Sequence, residues 1–337
     1  MITPKELKET LSGISIGAST CNYSIETCEK LTPIINQINA LKKQKNTVIL
    51  AHSYVSPDII YGVADHVGDS FELSKAAQST NASTIIFAAV KFMAETAKIL
   101  NPEKRVYTPS PINGCSLADA ITADDVIALR KQYPDHAFIC YINTSAEVKA
   151  LCDCCVTSSN VYDIVDHYPN QNIYFLPDEL MGKNIEAYLA SKNSNKNFKY
   201  YSGTCYVHEE YDPDMIEFLR LNHPDAAIVA HPECKPSIIE KSTFVGSTSQ
   251  MVNYVKTTDH PQYVLLTECG LTARLQMEAP EKQFIGSCTM CKYMKSNSLG
   301  NILNVLESPQ PELEIHLNSS TISKAKASLM AMFKYAS

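Results

Sequence analysis

No stretch of the chain approaches the roughly 18 consecutive apolar residues that a membrane-spanning helix requires, so a transmembrane protein is not expected. Basic residues are not in excess: 29 Lys and Arg stand against 36 Asp and Glu, a net charge of −7. That balance gives no electrostatic case for nucleic acid or an anionic membrane surface. Neither a GxGxxG fingerprint nor a Walker loop is present, which disfavours a nucleotide cofactor. Low-complexity linkers are also missing, so the parts of the chain are expected to pack closely. Residues 1–45 lack the apolar segment of a signal peptide, and a cytoplasmic location is expected.

What is present is an ordinary globular composition, 45% hydrophobic over 337 residues, with twelve cysteines. In a reducing compartment cysteines point to metal, catalysis or buried thiols rather than to disulfides. Cys288 and Cys291 form a CxxC pair, a spacing at which two thiolates clasp one soft ion. Cys115 (Asn113-Gly114-Cys115-Ser116) and Cys205 (Ser202-Gly203-Thr204-Cys205) sit at punctuated positions. Cys115 precedes Cys205 by 90 residues, and Cys205 precedes Cys291 by 86. Near-equal spacing suggests three similar units, each ending in a thiolate aimed at a common centre. Cys152 and Cys155 form a second CxxC, within an expected helix from Glu147. Spacing leaves three readings open: an iron–sulfur cluster on three thiolates, a zinc site built from the two CxxC pairs, and buried thiols. Cys21 and Cys28 have no metal-like spacing and read as structural.

Short apolar runs recur along the chain at Thr47–Ala51, Thr84–Ala89, Ala137–Tyr141, Ile173–Leu176, Ala226–Ala230, Tyr263–Leu266 and Gln283–Ile285. Most are separated by stretches of helical period, which is the α/β pattern of parallel strands covered on both faces. Before them, Ile34, Ile35, Ile38 and Leu41 mark a packing helix. Ligands in α/β folds bind beyond the carboxyl ends of strands. That directs attention to His52, Tyr54, Asn143, His231, Glu233, Thr267 and Glu268. His231 and Glu233 are spaced to form an acid–base pair, whereas His208 alone reads more simply as a structural histidine. Capping boxes are expected at Asp69–Glu72, Thr144–Glu147 and Ser247–Gln250. Three such helix starts suit a ligand with several negative groups.

With these residues assembled, the chain resembles the quinolinate synthase family from about residue 46 to 305. The likeness is carried by Ala51-His52-Ser53-Tyr54, Gly68-Asp69-Ser70, Met93-Ala94-Glu95-Thr96-Ala97, Gly114-Cys115-Ser116, Tyr141-Ile142-Asn143-Thr144-Ser145-Ala146-Glu147, Thr157-Ser158-Ser159-Asn160, Val207-His208-Glu209, His231-Pro232-Glu233-Cys234, Gly246-Ser247-Thr248-Ser249-Gln250 and Cys291-Lys292-Tyr293-Met294-Lys295. The resemblance implies three αβα domains in pseudo-threefold arrangement around one [4Fe–4S] cluster. Their expected bounds are 46–120, 121–205 and 206–300, with helical segments 1–45 and 301–337 both packing on the first. It also implies Cys115, Cys205 and Cys291 as the three cluster ligands. His52, Ser70, Tyr141, Asn143, Ser158, His231, Glu233 and Thr248 would hold the substrates, iminoaspartate and dihydroxyacetone phosphate. Tyr54 and Glu233, with Tyr141 and His231, would serve catalysis. An L-aspartate oxidase or dehydrogenase is the implied source of iminoaspartate. Ser53 departs from the aromatic or asparagine common in the family. Cys288 is not implied as a ligand.

Overall fold

Strands of this chain are short apolar runs because their sheets are covered on both faces, so no alternation with polar residues is needed. The computed structural model describes residues 1–15, 23–286 and 289–336. Cys21, Ser287 and Cys288 lie outside the described residues. The first sheet has β1 (Thr47–His52), β2 (His66–Gly68), β3 (Thr84–Ala88) and β4 (Arg105–Tyr107) in the order β2-β1-β3-β4. The second has β5 (Ala137–Tyr141), β6 (Cys154–Val156), β7 (Asn172–Leu176) and β8 (Asn197–Tyr200) in the matching order β6-β5-β7-β8. The third has β9 (Ala227–Ala230), β10 (Phe244–Val245) and β11 (Tyr263–Leu266) in the order β10-β9-β11. Every strand pair is parallel. The chain is therefore α/β, built from three similar units.

The third unit repeats the others except at its last strand. Gln283–Ile285 does not form a strand: Phe284 makes a single parallel bridge to Tyr263 at the place where β4 and β8 stand in the other sheets. Polar edge strands carry no apolar run and escape a reading by hydrophobicity, as β4 (Arg-Val-Tyr) and β8 (Asn-Phe-Lys-Tyr) illustrate. The second CxxC also departs from expectation. The helix after β5 is one turn, Ala146–Lys149, and Cys154 and Cys155 belong to β6. Ser145, not Thr144, caps that turn, and Thr144 instead donates its hydroxyl to the Tyr141 carbonyl at 2.9 Å. The boxes at Asp69–Glu72 and Ser247–Gln250 form as expected.

Helices Pro4–Leu11 and Ile25–Gln44 pack together, and the latter lays Ile35 and Ile38 against the first unit. Helix Ser319–Tyr335 runs against β6, Ala146–Lys149 and Lys91–Leu100, so it touches both the first and second units. Phe333 meets Phe71 at 5.8 Å, and Glu314 bridges to Tyr107. Each fully buried Leu or Ile of this core contributes about 1.5–3 kcal/mol on leaving water. None of the described helices is long and apolar enough to cross a membrane.

Candidate active site

The turns after the central strands of all three sheets converge on one cavity. Its walls include His52, Tyr54 and Ser70 from the first unit, Tyr141, Asn143 and Ser158 from the second, and His231, Glu233 and Thr248 from the third. Cys115, Cys205 and Cys291 line the same cavity. These twelve side chains span 240 residues of sequence, from His52 to Cys291, and no single unit holds more than a third of them.

The turns stay in place because buried donors hold their carbonyls. Lys149, fully buried, donates to Ile142 O at 2.8 Å and to Thr144 O. The Asn184 amide donates to Pro232 O and Cys234 O, both at 2.8 Å. Lys295 Nζ donates to Tyr54 O at 2.6 Å. Ser70 and Thr248 are the first residues of the helices Ser70–Ser79 and Thr248–Thr257. One carboxylate serves both helix starts: Asp69 Oδ1 accepts the Phe71 and Glu72 N–H groups, and Oδ2 accepts from Ser247 Oγ and Ser249 N–H. Ser53 faces away, donating to Gly68 O at 3.2 Å and accepting from Arg274 at 2.7 Å.

The three cavity cysteines occupy equivalent turns. Two residues before each one, a backbone carbonyl accepts the N–H that follows the unit's third strand. The pairs are Asn113 O with Lys91 N–H at 2.7 Å, Gly203 O with Glu179 N–H at 2.7 Å, and Thr289 O with Cys269 N–H at 3.1 Å. Gly203 permits this approach, since a Cβ there would stand 2.8 Å from Pro177 O. Each sulfur then accepts backbone N–H groups from the turn it opens: Ala118 for Cys115, Val207 for Cys205 and Met294 for Cys291. Burial nevertheless pushes all three thiols up, Cys115 to about 12, and the charges of Cys291 and Cys115 add to the effect on Cys115 and Cys205 respectively. These three are part-buried, whereas the other described cysteines are buried. Three sulfurs with amide donors, facing one space from three sides, fit a shared soft-metal group. The four-cysteine zinc arrangement is not assembled: Cys152 and Cys155 lie against Cys140 in the second unit, and neither lines the cavity with Cys291.

A chain of hydrogen bonds crosses the cavity wall. Tyr141 OH donates to Glu233 Oε1 at 2.7 Å, and Glu233 Oε2 lies 3.1 Å from His208 Nδ1. His208 Nε2 is 3.1 Å from Thr267 Oγ1, which is 2.6 Å from Tyr54 OH. Tyr54 OH also meets Thr248 Oγ1 at 2.9 Å. His208 stacks on His231 with ring centroids 4.7 Å apart. The expected His231–Glu233 pair is the looser one, at 3.6 Å. His208, which reads as a structural histidine from sequence, thus joins Thr267 and the other residues that follow strand ends. A position three residues after Cys205 was the available signal for His208.

Burial favours the uncharged forms here, except at Glu233. It pushes His52 down to about 4 and His231 to about 3, and raises the Tyr54 and Tyr141 phenols. At Glu233 burial acts upward too, but His208, His231 and the Tyr141 hydroxyl outweigh it and hold the carboxyl well below its usual range. Tyr54 N–H points at His52 Nδ1 (3.2 Å) and Glu233 N–H at His231 Nδ1 (3.4 Å), so both imidazoles keep Nε2–H as their donor. The wall therefore presents neutral imidazole donors beside the Glu233 carboxylate, while the carboxyls of Asp69 and Glu268, which also line it, are occupied by backbone N–H groups.

Comparison with known proteins gives one consistent answer. The family model described as "Quinolinate synthetase A protein" matches residues 36–334. A protein of Mesorhizobium japonicum named quinolinate synthase 2 is 45% identical over 81% of this chain and 83% of its own length. The quinolinate synthase of Agrobacterium fabrum is 42% identical over 83% of this chain and 80% of its own. That of Caulobacter vibrioides is 38% identical over 89% and 81% respectively.

Proposed function

Because the chain belongs to the quinolinate synthetase A family, we propose that it is a quinolinate synthase. It condenses iminoaspartate with dihydroxyacetone phosphate, losing phosphate and water, to give quinolinate. The observation that carries this reading is the meeting of twelve side chains from three separate units on one cavity. A protein that merely stored or sensed a metal group needs the cysteines but has no use for Tyr54, Asn143, His231 and Glu233 beside them.

In this reading Cys115, Cys205 and Cys291 hold one [4Fe–4S] cluster per chain. Held by these three cysteines, the cluster would supply Lewis acidity for the dehydration. The remaining work falls to the chain. The hydroxyls of Ser70, Ser158 and Thr248, the Asn143 amide and the Nε2–H groups of His52 and His231 bind and orient phosphate, carboxylates and the substrate carbonyl. Neutral donors suit this task, since they do not lock an anion in place as a buried lysine would. Glu233, kept ionised, is the base, with Tyr141 steadying its orientation. Tyr54, kept protonated, is the acid. Thr267 and His208 link the two, so a proton taken at Glu233 reaches Tyr54 without crossing solvent. Iminoaspartate is supplied by an enzyme that oxidises L-aspartate, an oxidase or a dehydrogenase.

The test is protein purified without air, assayed for iron, zinc and sulfide, then given both substrates. About four irons and four sulfides per chain, and quinolinate as product, are expected. One zinc and no sulfide rejects the cluster. A loaded cluster that yields no quinolinate favours a sensor or carrier instead.

A further inference from the structure

The three cysteine turns are not held equally. In the first and second units a hydrogen-bonded strand, β4 or β8, precedes the turn. In the third unit the approach to Cys291 shows, among the described residues, single bridges at Phe284 and Thr289 in place of a strand. Side chains make up the difference. Glu268, fully buried, accepts the Cys291 N–H through Oε1 at 3.2 Å and the Gly270 N–H through Oε2 at 2.7 Å. Lys295, one turn beyond Cys291, sits 3.1 Å from Oε1 and 3.3 Å from Oε2. The same ammonium donates to the carbonyl of Tyr54, whose hydroxyl is fixed by Thr248 and Thr267.

A fully buried carboxylate and a part-buried ammonium thus reach backbone groups of two units, Tyr54 O in the first and Cys291 N–H in the third. Burying one partner of an ion pair is a poor way to gain stability, because desolvation offsets much of the attraction. The geometric value of the pair is larger, since each charge has fixed partners on both sides. The surroundings leave little room for slack: a Cβ on Gly270 would stand 2.7 Å from Glu268 Oε2, 2.7 Å from Tyr54 O and 2.8 Å from Lys295 Nζ. We infer that Glu268 and Lys295 are positioning residues that hold the Cys291 turn and the Tyr54 backbone in fixed relation, setting one cluster ligand and the proton donor together. This rests on the roles given above to Cys291 and Tyr54.

The experiment uses the full chain, purified without air, as Glu268→Gln, Lys295→Met, Lys295→Arg and Gly270→Ala. Far-ultraviolet circular dichroism and melting report folding, a chelator reports the rate of iron release, and steady-state kinetics report kcat and KM. Glu268→Gln and Lys295→Met are expected to release iron about tenfold faster or more and to lose about tenfold in kcat, with KM little changed. Lys295→Arg should restore part of both. Gly270→Ala removes no charge and should show the same paired effect in smaller measure. Variants that melt earlier yet keep wild-type iron release and kcat make the pair ordinary scaffolding and overturn the inference. If Glu268→Gln and Lys295→Met do not fold, wild-type iron release and kcat in Gly270→Ala overturn it equally. An iron-free wild type overturns the cluster reading itself, and this inference with it, whereas an iron-loaded wild type beside indifferent variants overturns only the positioning role.

Discussion

Two groups of three cysteines share little beyond the sulfur atom. Cys115, Cys205 and Cys291 stand part-buried on equivalent turns around a cavity. Cys140, Cys152 and Cys155 are buried in the second unit, with Cys140 on β5 in register with Cys155 on β6. In the core group, burial pushes the Cys140 thiol up, but hydrogen bonds from Cys152 and Cys155 and the nearby Lys149 charge bring it well below its ordinary value. Cys152 and Cys155 are raised by the same burial. The core group contains a CxxC pair, yet none of its three cysteines lines the cavity. In the proposed reading, access to a common space, rather than spacing, separates a ligand from a buried thiol.

The sharpest way to break that comparison is to replace one cysteine on each side. Cys291→Ser is expected to lose the iron and all activity. Cys155→Ala should keep both and cost about 1–3 kcal/mol of stability, the common scale for a buried substitution. Cys288→Ser should also keep both. Iron and sulfide content of the three proteins, prepared side by side without oxygen, decides the matter, and an iron-loaded Cys291→Ser would reverse the assignment.

The contrast extends to other side chains, since cavity residues should affect turnover more than folding. Tyr54→Phe and Glu233→Gln are expected to retain the cluster and bind dicarboxylates while slowing turnover by roughly 100-fold or more. Wild-type turnover in both would demote them to scaffolding. A smaller effect is expected from Ser70→Ala, Ser158→Ala and Thr248→Ala. Each removes one donor to an anion, worth about 1.5–3 kcal/mol, or around tenfold or more in affinity. Titration with a dicarboxylate analogue that binds all three variants as it binds wild type would place the anion site elsewhere.

The mildest effect concerns acid. His52 and His231 are buried and neutral, with folded values near 4 and 3 against 6.5 when exposed. Below pH 6.5 the unfolded chain takes up these protons and the folded chain does not, so stability falls as the pH drops toward about 4. The slope approaches about 1.4 kcal/mol per pH unit for each histidine. Melting curves between pH 7.5 and 5 should show this fall, and His52→Gln should flatten it. A variant as acid-sensitive as wild type would mean that His52 is solvated.

The central strands were legible because burial on both faces makes a run of apolar residues compulsory: β1, β5 and β11 follow their runs closely. The edges β2, β6 and β10 are two or three residues long and paired on one side only, which leaves no such imprint. For the cavity, sequence order brought out side chains that directly follow central strands, such as His52 and His231. It did not bring out His208, because its partners Glu233 and Thr267 lie 25 and 59 residues away. Glu268 stood out by its place after β11, but its pairing with Lys295 across 27 residues did not. Thr144 misled because two adjacent hydroxyl residues compete for one cap, and only the fold assigns it to Ser145.

The division of the cavity among three units also sets an order of events at the ribosome. Cys115 and Cys205 are made early, but their turns face an incomplete space until the segment carrying Cys291 follows. Helix Ser319–Tyr335, which touches the first and second units, is made later still. A nascent chain can therefore fold its first two sheets in sequence and still offer no enclosed place for a metal group. In the proposed reading, loading would have to wait for nearly the whole polypeptide, and a product truncated before Cys291 would carry Cys115 and Cys205 without their third partner.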